Sequence, residues 1–218
     1  MIPLSFANES HKPRRVLCVG AHSDDIEIGC GGTILRLLES DPELEVRWIV
    51  LSSNDERERE ARCAASLFLA GCRHAEVTVL RFRDGFFPYT GEIKDFFETL
   101  KSEARPDLIF THSRDDRHQD HRVVSELTWN TFRNHAVLEY EIPKYDGGLS
   151  TPNLYVPIDD ETRSRKVEYL MRAFGSQRSR PWFTDETFTG LMRLRGVESG
   201  LTEPFAEGFF AKKLVLGL

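Results

Sequence analysis

The sequence predicts an α/β fold of Rossmann-like type, a mostly parallel sheet with helices on both faces. Two observations predict it. Apolar strand-like runs alternate with amphipathic helical segments across residues 16–134, and β and α elements in alternation favour a parallel sheet covered on both sides. Polar clusters rich in His and Asp follow two of those runs, His22-Ser-Asp24-Asp25 directly after the first and His118-Gln-Asp120-His121 a few residues beyond 107–111. Open α/β sheets hold their ligands at that edge.

The elements read in order as follows. Residues 16–21 form the first strand. The Gly29-Cys-Gly-Gly32 segment reads as a turn into a helix over 33–40, with Ile34, Leu37 and Leu38 on one face. Residues 46–51 form the second strand. A helix over 56–70 follows, ended by Gly71 at a C-cap position. Residues 76–80 form the third strand. Ile93, Phe96, Phe97 and Leu100 then recur at the period of an amphipathic helix. The fourth strand is 108–110, and a helix over 121–134 follows it. The second half is less regular. Residues 137–144 and 153–158 read as short strands around a Gly147-Gly148 loop. Val167, Leu170, Met171 and Phe174 repeat the helical period, a short helix covers 185–194, and 209–215 supplies a last strand.

The bulk numbers narrow the function. A chain of 218 residues without a Pro/Ser/Gly-rich linker is expected to be a single domain over 1–218. Hydrophobic residues at 40% and charged residues at 29% support a buried core. A net charge of −6 argues against broad nucleic-acid binding. Residues 1–15 lack the apolar stretch of a signal peptide, and no run approaches the roughly 20 apolar residues of a membrane helix. The four cysteines make no C-x-x-C pair. Free thiols and a cytoplasmic location are the expectation.

Together the two clusters supply three imidazoles and three carboxylates, enough for one zinc site with acid and base groups beside it. His22 and Asp25, three apart on a tight turn, are placed to face one ion. His121 closes the set if strands one and four are neighbours. Asp24 then points toward the metal-bound water as a base. His118 stands ready to stabilise an oxyanion or to protonate a leaving amine. Asp120 either orients an imidazole or caps the helix starting at His121. Spacing alone does not select the ligands, and a His2Asp site accepts Fe2+ and other divalent ions as well as Zn2+.

Other features have plainer readings. The glycines at 29, 31 and 32 fit no G-x-G-x-x-G phosphate loop and read as tight turning and close packing. The charged run 55–60 reads as a solvated helix start. Phe82, Phe86, Phe87 and Tyr89 either stack on a sugar ring or pack on the core. His112, near the end of strand four, is a candidate to line the pocket. His11, His74 and His135 receive no role. A serine-hydrolase triad lacks its G-x-S-x-G elbow. A non-catalytic module that binds a nucleotide sugar is the rival of a different class, and Asp24 and His118 argue against it.

Ala21-His22-Ser23-Asp24-Asp25 and His118-Gln119-Asp120-His121 resemble the two signatures of the PIG-L/LmbE-like zinc-dependent N-deacetylases, Ala-His-Pro-Asp-Asp and His-Pro-Asp-His. Both departures, Ser23 and Gln119, replace a proline, which shapes a turn and does no chemistry. Arg57-x-x-Glu60, Asp84-Gly85, Arg105-Pro-Asp107, Pro152-Asn-Leu-Tyr-Val156, Ser176-Gln177 and Ala206-Glu-Gly-Phe209 also look like family landmarks, in the right order. The resemblance spans roughly residues 14–216 and implies the PIG-L/LmbE-like form of the Rossmann-like fold. It implies zinc held by His22, Asp25 and His121, with Asp24 as general base and later proton donor to the amine. It makes His118 the electrophilic or acid partner and Asp120 its supporting carboxylate. Arg57 matches a family arginine near the substrate. The implied partner is a small N-acetylated amino sugar, free or in a glycoconjugate, hydrolysed to acetate and an amine. Another acyl group on a glycoconjugate is the alternative. Family members assemble, and the sequence leaves the oligomeric state open.

Overall fold

The computed structural model describes residues 12–215. His11, and most of the segment read as free of a signal peptide, lie outside the described residues. Seven strands form one sheet: β1 (Arg15–Gly20), β2 (Glu45–Val50), β3 (His74–Val79), β4 (Leu108–His112), β5 (Ala136–Tyr140), β6 (Leu154–Ile158) and β7 (Phe205–Ala211). Their spatial order is β3-β2-β1-β4-β5-β7-β6. Strands β1 to β5 run parallel, and β7 alone runs antiparallel, to β5 on one side and β6 on the other. The mostly parallel Rossmann-like sheet expected from the sequence is what forms.

The position of β1 decides where chemistry is placed. From β1 the chain adds β2 and β3 on one side, then returns to add β4 and β5 on the other. This reversal opens a crevice at the carboxyl ends of β1 and β4. The two strands are direct neighbours, with Val16 opposite Leu108 and Cys18 opposite Phe110.

Helices cover both faces because alternate residues of the central strands are apolar on both sides. Val16, Cys18 and Trp48 pack with the buried faces of α1 (Asp25–Ser40), α2 (Asp55–Phe68), α5 (Asp160–Ala173) and α6 (Asp185–Ser199). Leu17, Val19 and Ile109 pack against α3 (Glu92–Glu103) and α4 (Gln119–Thr131). Ile93, Phe97 and Leu100 are the buried stripe of α3, as their spacing predicts. Among the described residues no helix is long and apolar enough to cross a membrane. All four cysteines are free thiols, with Cys18 and Cys30 buried.

Three expectations need correction. The glycines at 29, 31 and 32 lie inside α1, which begins at Asp25, so they form no turn. Their packing role holds. A Cβ on Gly29 would stand 2.3 Å from Tyr140 Cδ2, and one on Gly31 2.5 Å from Phe68 Cε1. Glu207 of β7 accepts the backbone N–H groups of Gly32 and Thr33 at 2.8 and 2.7 Å, as a cap does, while Lys166 donates to Ile28 O at 2.7 Å. Gly71 does not end α2. Leu69 is the C-cap, and Gly71 has no positive φ. The last strand starts earlier than the apolar run 209–215 suggests, because the buried Glu207 and Gly208 belong to it. Lys212 and Lys213 have already left the sheet, and Val215 is exposed.

Candidate active site

Strand β1 delivers the first cluster. The chain leaves the sheet after Gly20 and enters α1 at Asp25, so His22 to Asp25 occupy the turn at the crevice. Asp25 folds back to accept the His22 backbone N–H at 2.6 Å. Asp24 sits at the N-cap of α1 but makes no side-chain cap bond, which leaves its carboxylate for other work. Burial, offset in part by Arg57, raises the Asp24 carboxyl above its ordinary range.

Strand β4 and the start of α4 deliver the second cluster. His22 Nδ1 lies 3.1 Å from His121 Nε2 and 3.4 Å from Asp25 Oδ2. His121 Nε2 lies 3.5 Å from Asp25 Oδ1. The three residues selected as ligands therefore meet at one point. His118, the N-cap of α4, accepts the Asp120 N–H through Nδ1 at 3.3 Å, which leaves Nε2–H as a donor. The His118 ring stands 4.9 Å from that of His22 and 4.6 Å from that of His121, centre to centre.

The donor set fits a divalent cation. It offers two imidazole nitrogens and a carboxylate, the ligands that zinc takes. Burial works to raise the Asp25 carboxyl, yet contacts with His121, His112 and His22 outweigh it and hold the group well below the usual carboxylate range. Asp25 is thus anionic. Burial opposes charge on His22, but hydrogen bonds to Asp120, Asp25 and Asp84 raise it well above the ordinary histidine value. A proton and a metal ion compete for the same nitrogen, so metal binding releases a proton. The groups His22/His118/His121 and Asp25/His112/His121 also bring ligand atoms within 4.8 Å of one another.

The profile of the PIG-L family, described as GlcNAc-PI de-N-acetylase, matches residues 17–132. The chain belongs to the PIG-L family. The uncharacterized deacetylase YaiS of Escherichia coli is 27% identical over 153 residues, covering 64% of this chain and 80% of that protein. Two solved structures show the shared fold. The N,N'-diacetylchitobiose deacetylase of Pyrococcus horikoshii superposes with a TM-score of 0.72 at 22% identity, covering 94% of this chain and 86% of that one. GalB, the 4-carboxy-2-hydroxymuconate hydratase of Pseudomonas putida, gives 0.69 at 18%, covering 94% and 98%. The fold thus carries more than one chemistry, and the site must decide between them.

Against the family signatures, the two lost prolines have different consequences. Gln119 donates through Nε2 to Gly85 O at 2.5 Å, tying the second signature to the Asp84-Gly85 loop. Ser23 Oγ is buried without a hydrogen-bond partner, and nothing in the structure explains that choice.

Asp120 is placed differently from expectation. Its side chain does not cap α4 and makes no hydrogen bond to His118, and the imidazole it contacts is that of His22. Its carboxylate accepts Gly85 N at 2.6 Å and Phe87 N at 3.2 Å, and its nearest imidazole is His22, at 3.5 Å from Nε2. Helix α4 begins two residues earlier than expected, at Gln119, which places Asp120 in its first turn, facing the 84–87 loop. Arg57 is paired on both terminal nitrogens. Its Nη2 lies 2.8 Å from Asp24 Oδ1, and its Nη1 2.7 Å from Glu60 Oε2. The run 55–60 is therefore solvated on one side only.

Three groups escaped the sequence reading as site residues. Asp116 Oδ2 takes the Nδ1 hydrogen of His121 at 2.9 Å and also pairs with Lys144. Asp84 Oδ1 lies 3.0 Å from His22 Nε2. His112, held only as a pocket-lining candidate, is fully buried. It accepts Ala21 N–H at 3.0 Å, stacks on His121 at 3.8 Å and lies 3.2 Å from Asp25 Oδ2. A hydrophobic strand ending in Thr-His gave a signal for His112. Asp116 gave none that separates it from Asp115.

Proposed function

We propose that this chain is a metal-dependent N-deacetylase acting on an N-acetylated amino sugar, free or within a sugar conjugate, through a single domain spanning 1–218. The observation that carries the reading is the convergence of His22, Asp25 and His121 beside Asp24 and His118, at the carboxyl ends of β1 and β4. His22, Asp25 and His121 are the proposed metal ligands. Zn2+ is the expected ion, and Fe2+ suits the same donors. When bound, such an ion polarises an amide carbonyl and makes a water acidic near neutral pH.

The chain's own groups do the rest. Asp24 takes a proton from the attacking water, and its burial-raised carboxyl suits a base that later returns that proton to the amine. His118 Nε2–H donates toward the carbonyl oxygen as negative charge grows there. Asp120 and Asp84 hold the His22 ring from its far nitrogen, and Asp116 holds His121. Such outer hydrogen bonds fix ring orientation and tautomer. The deacetylase names of YaiS and the Pyrococcus enzyme support this chemistry over hydration.

The test is release of free amine from a panel of N-acetylated sugars, nucleotide sugars and glycoconjugates by zinc-loaded and chelated protein. Zinc-dependent release supports the reading and names the substrate. A protein that binds metal and a nucleotide sugar yet releases nothing supports the non-catalytic module. Release of an acid other than acetate identifies a different acyl group.

A further inference from the structure

We propose that Arg57 acts on the reaction through Asp24, as a positioning residue held in place by Glu60 and Ser176. This rests on the deacetylase reading above, in which Asp24 is the base.

The terminal nitrogens of Arg57 are engaged by the protein. Nη2 lies 2.8 Å from Asp24 Oδ1. Nη1 lies 2.7 Å from Glu60 Oε2 and 3.3 Å from Ser176 Oγ. The guanidinium carbon also stands 5.3 Å from the centre of the Phe174 ring. Arg57 and Glu60 share one face of α2, three residues apart. Glu60 is itself fixed from a different segment: it accepts Ser176 N at 2.7 Å and Ser176 Oγ at 2.7 Å. Ser176 lies in the short turn Gly175–Gln177 that follows α5.

The result is a chain of contacts from Ser176 through Glu60 and Arg57 to Asp24. It takes over the task that a helix N-cap bond would otherwise perform for Asp24, which makes no such bond. The guanidinium divides between two carboxylates, one terminal nitrogen on Asp24 and the other on Glu60, so a single ion-pair contact ties Asp24 to the side chain that Glu60 holds. A base has to stand within hydrogen-bond reach of the proton it takes. The contacts therefore hold the Asp24 carboxylate at the crevice, and the turn after α5 becomes part of the active site through them.

The test uses the full zinc-loaded chain with Arg57→Ala, Arg57→Lys and Glu60→Gln, on an N-acetylated sugar that the wild type turns over. Arg57→Ala is expected to lower kcat by about 10²-fold, the scale of a catalytic group displaced by an ångström, with little change in KM. Added guanidinium ion is expected to restore part of that kcat saturably. Glu60→Gln is expected to lower kcat in the same sense by a smaller factor. A raised KM with unchanged kcat in Arg57→Ala would overturn the proposal and return Arg57 to substrate binding. Arg57→Lys keeps the charge and the fold while losing the fork, so a kcat equal to wild type in that variant also counts against it. A crystal structure of Arg57→Ala gives an answer independent of turnover. A displaced Asp24 with His22, Asp25 and His121 unmoved supports the proposal, and an unmoved Asp24 overturns it. Absence of wild-type turnover on every sugar would sink the deacetylase reading and leave this structural arm to decide the position of Asp24.

Discussion

Asp116 accepts the Nδ1 hydrogen of His121 at 2.9 Å, and the opposite nitrogen of that ring faces His22 and Asp25. The bond fixes both the tautomer and the direction of a proposed metal ligand. Losing such an outer partner typically costs about 10–100-fold in metal affinity or activity. Asp116→Ala is therefore expected to weaken zinc by that factor, read by competition with a chromophoric chelator. Affinity equal to wild type would show that His121 is oriented by its stacking on His112 instead.

Asp24 and His121 are expected to separate binding from turnover. Asp24→Asn keeps the ligands and removes the base, so zinc stays and turnover falls by about 10²–10⁴-fold. His121→Ala removes a ligand, so both are lost. Metal analysis and amine release on the same samples check the pair. Full turnover in Asp24→Asn would remove Asp24 from its assigned role.

The glycines of α1 make a prediction about packing. Tyr140, against Gly29, is held by its hydroxyl on Val19 O at 2.7 Å and has no freedom to swing away. Gly29→Ala is expected to destabilise the fold by about 1–3 kcal/mol, the usual cost of overpacking. Gly71 has open space around its Cβ position and no positive φ, so Gly71→Ala is expected to be neutral or slightly stabilising. Denaturant midpoints of the two variants settle the contrast.

Glu27 gives a pH prediction. It is fully buried, and both carboxylate oxygens lack hydrogen-bond partners. Burial, helped by Asp24 and Asp25, raises its carboxyl well above the ordinary range. The folded state then binds more protons than the unfolded state above the unfolded value, so this group costs stability as pH rises from there through the folded value. Glu27→Gln is expected to stabilise chelated protein, more at pH 8 than at pH 5. A stability gain that is the same at both pH values would contradict a protonated Glu27.

The sheet and the two clusters were legible because they rest on local signals. Apolar runs mark β1, β2 and β4, and a polar His/Asp cluster after a strand stands out in sequence. The adjacency of β1 and β4 was needed for a shared site, and it could be stated only as a condition. What stayed hidden is long-range. Three glycines in its first half make α1 look as if it starts late, and Glu207, which contacts its middle, lies 175 residues away in sequence. Arg57 sits in a charged run that looks solvated, and its partner Asp24 is on another element. Asp116 is one of two adjacent aspartates, and only the fold shows which one faces His121.

As a metal-dependent N-deacetylase, the chain uses Asp24 as its base in the proposed reaction. The most direct test measures amine and acetate together from N-acetylated sugars, using zinc-loaded, chelated and zinc-loaded Asp24→Asn protein. Zinc-loaded wild type is expected to give equal amounts of both products, and the other two little. Turnover that survives complete metal removal, or persists undiminished in Asp24→Asn, would contradict it.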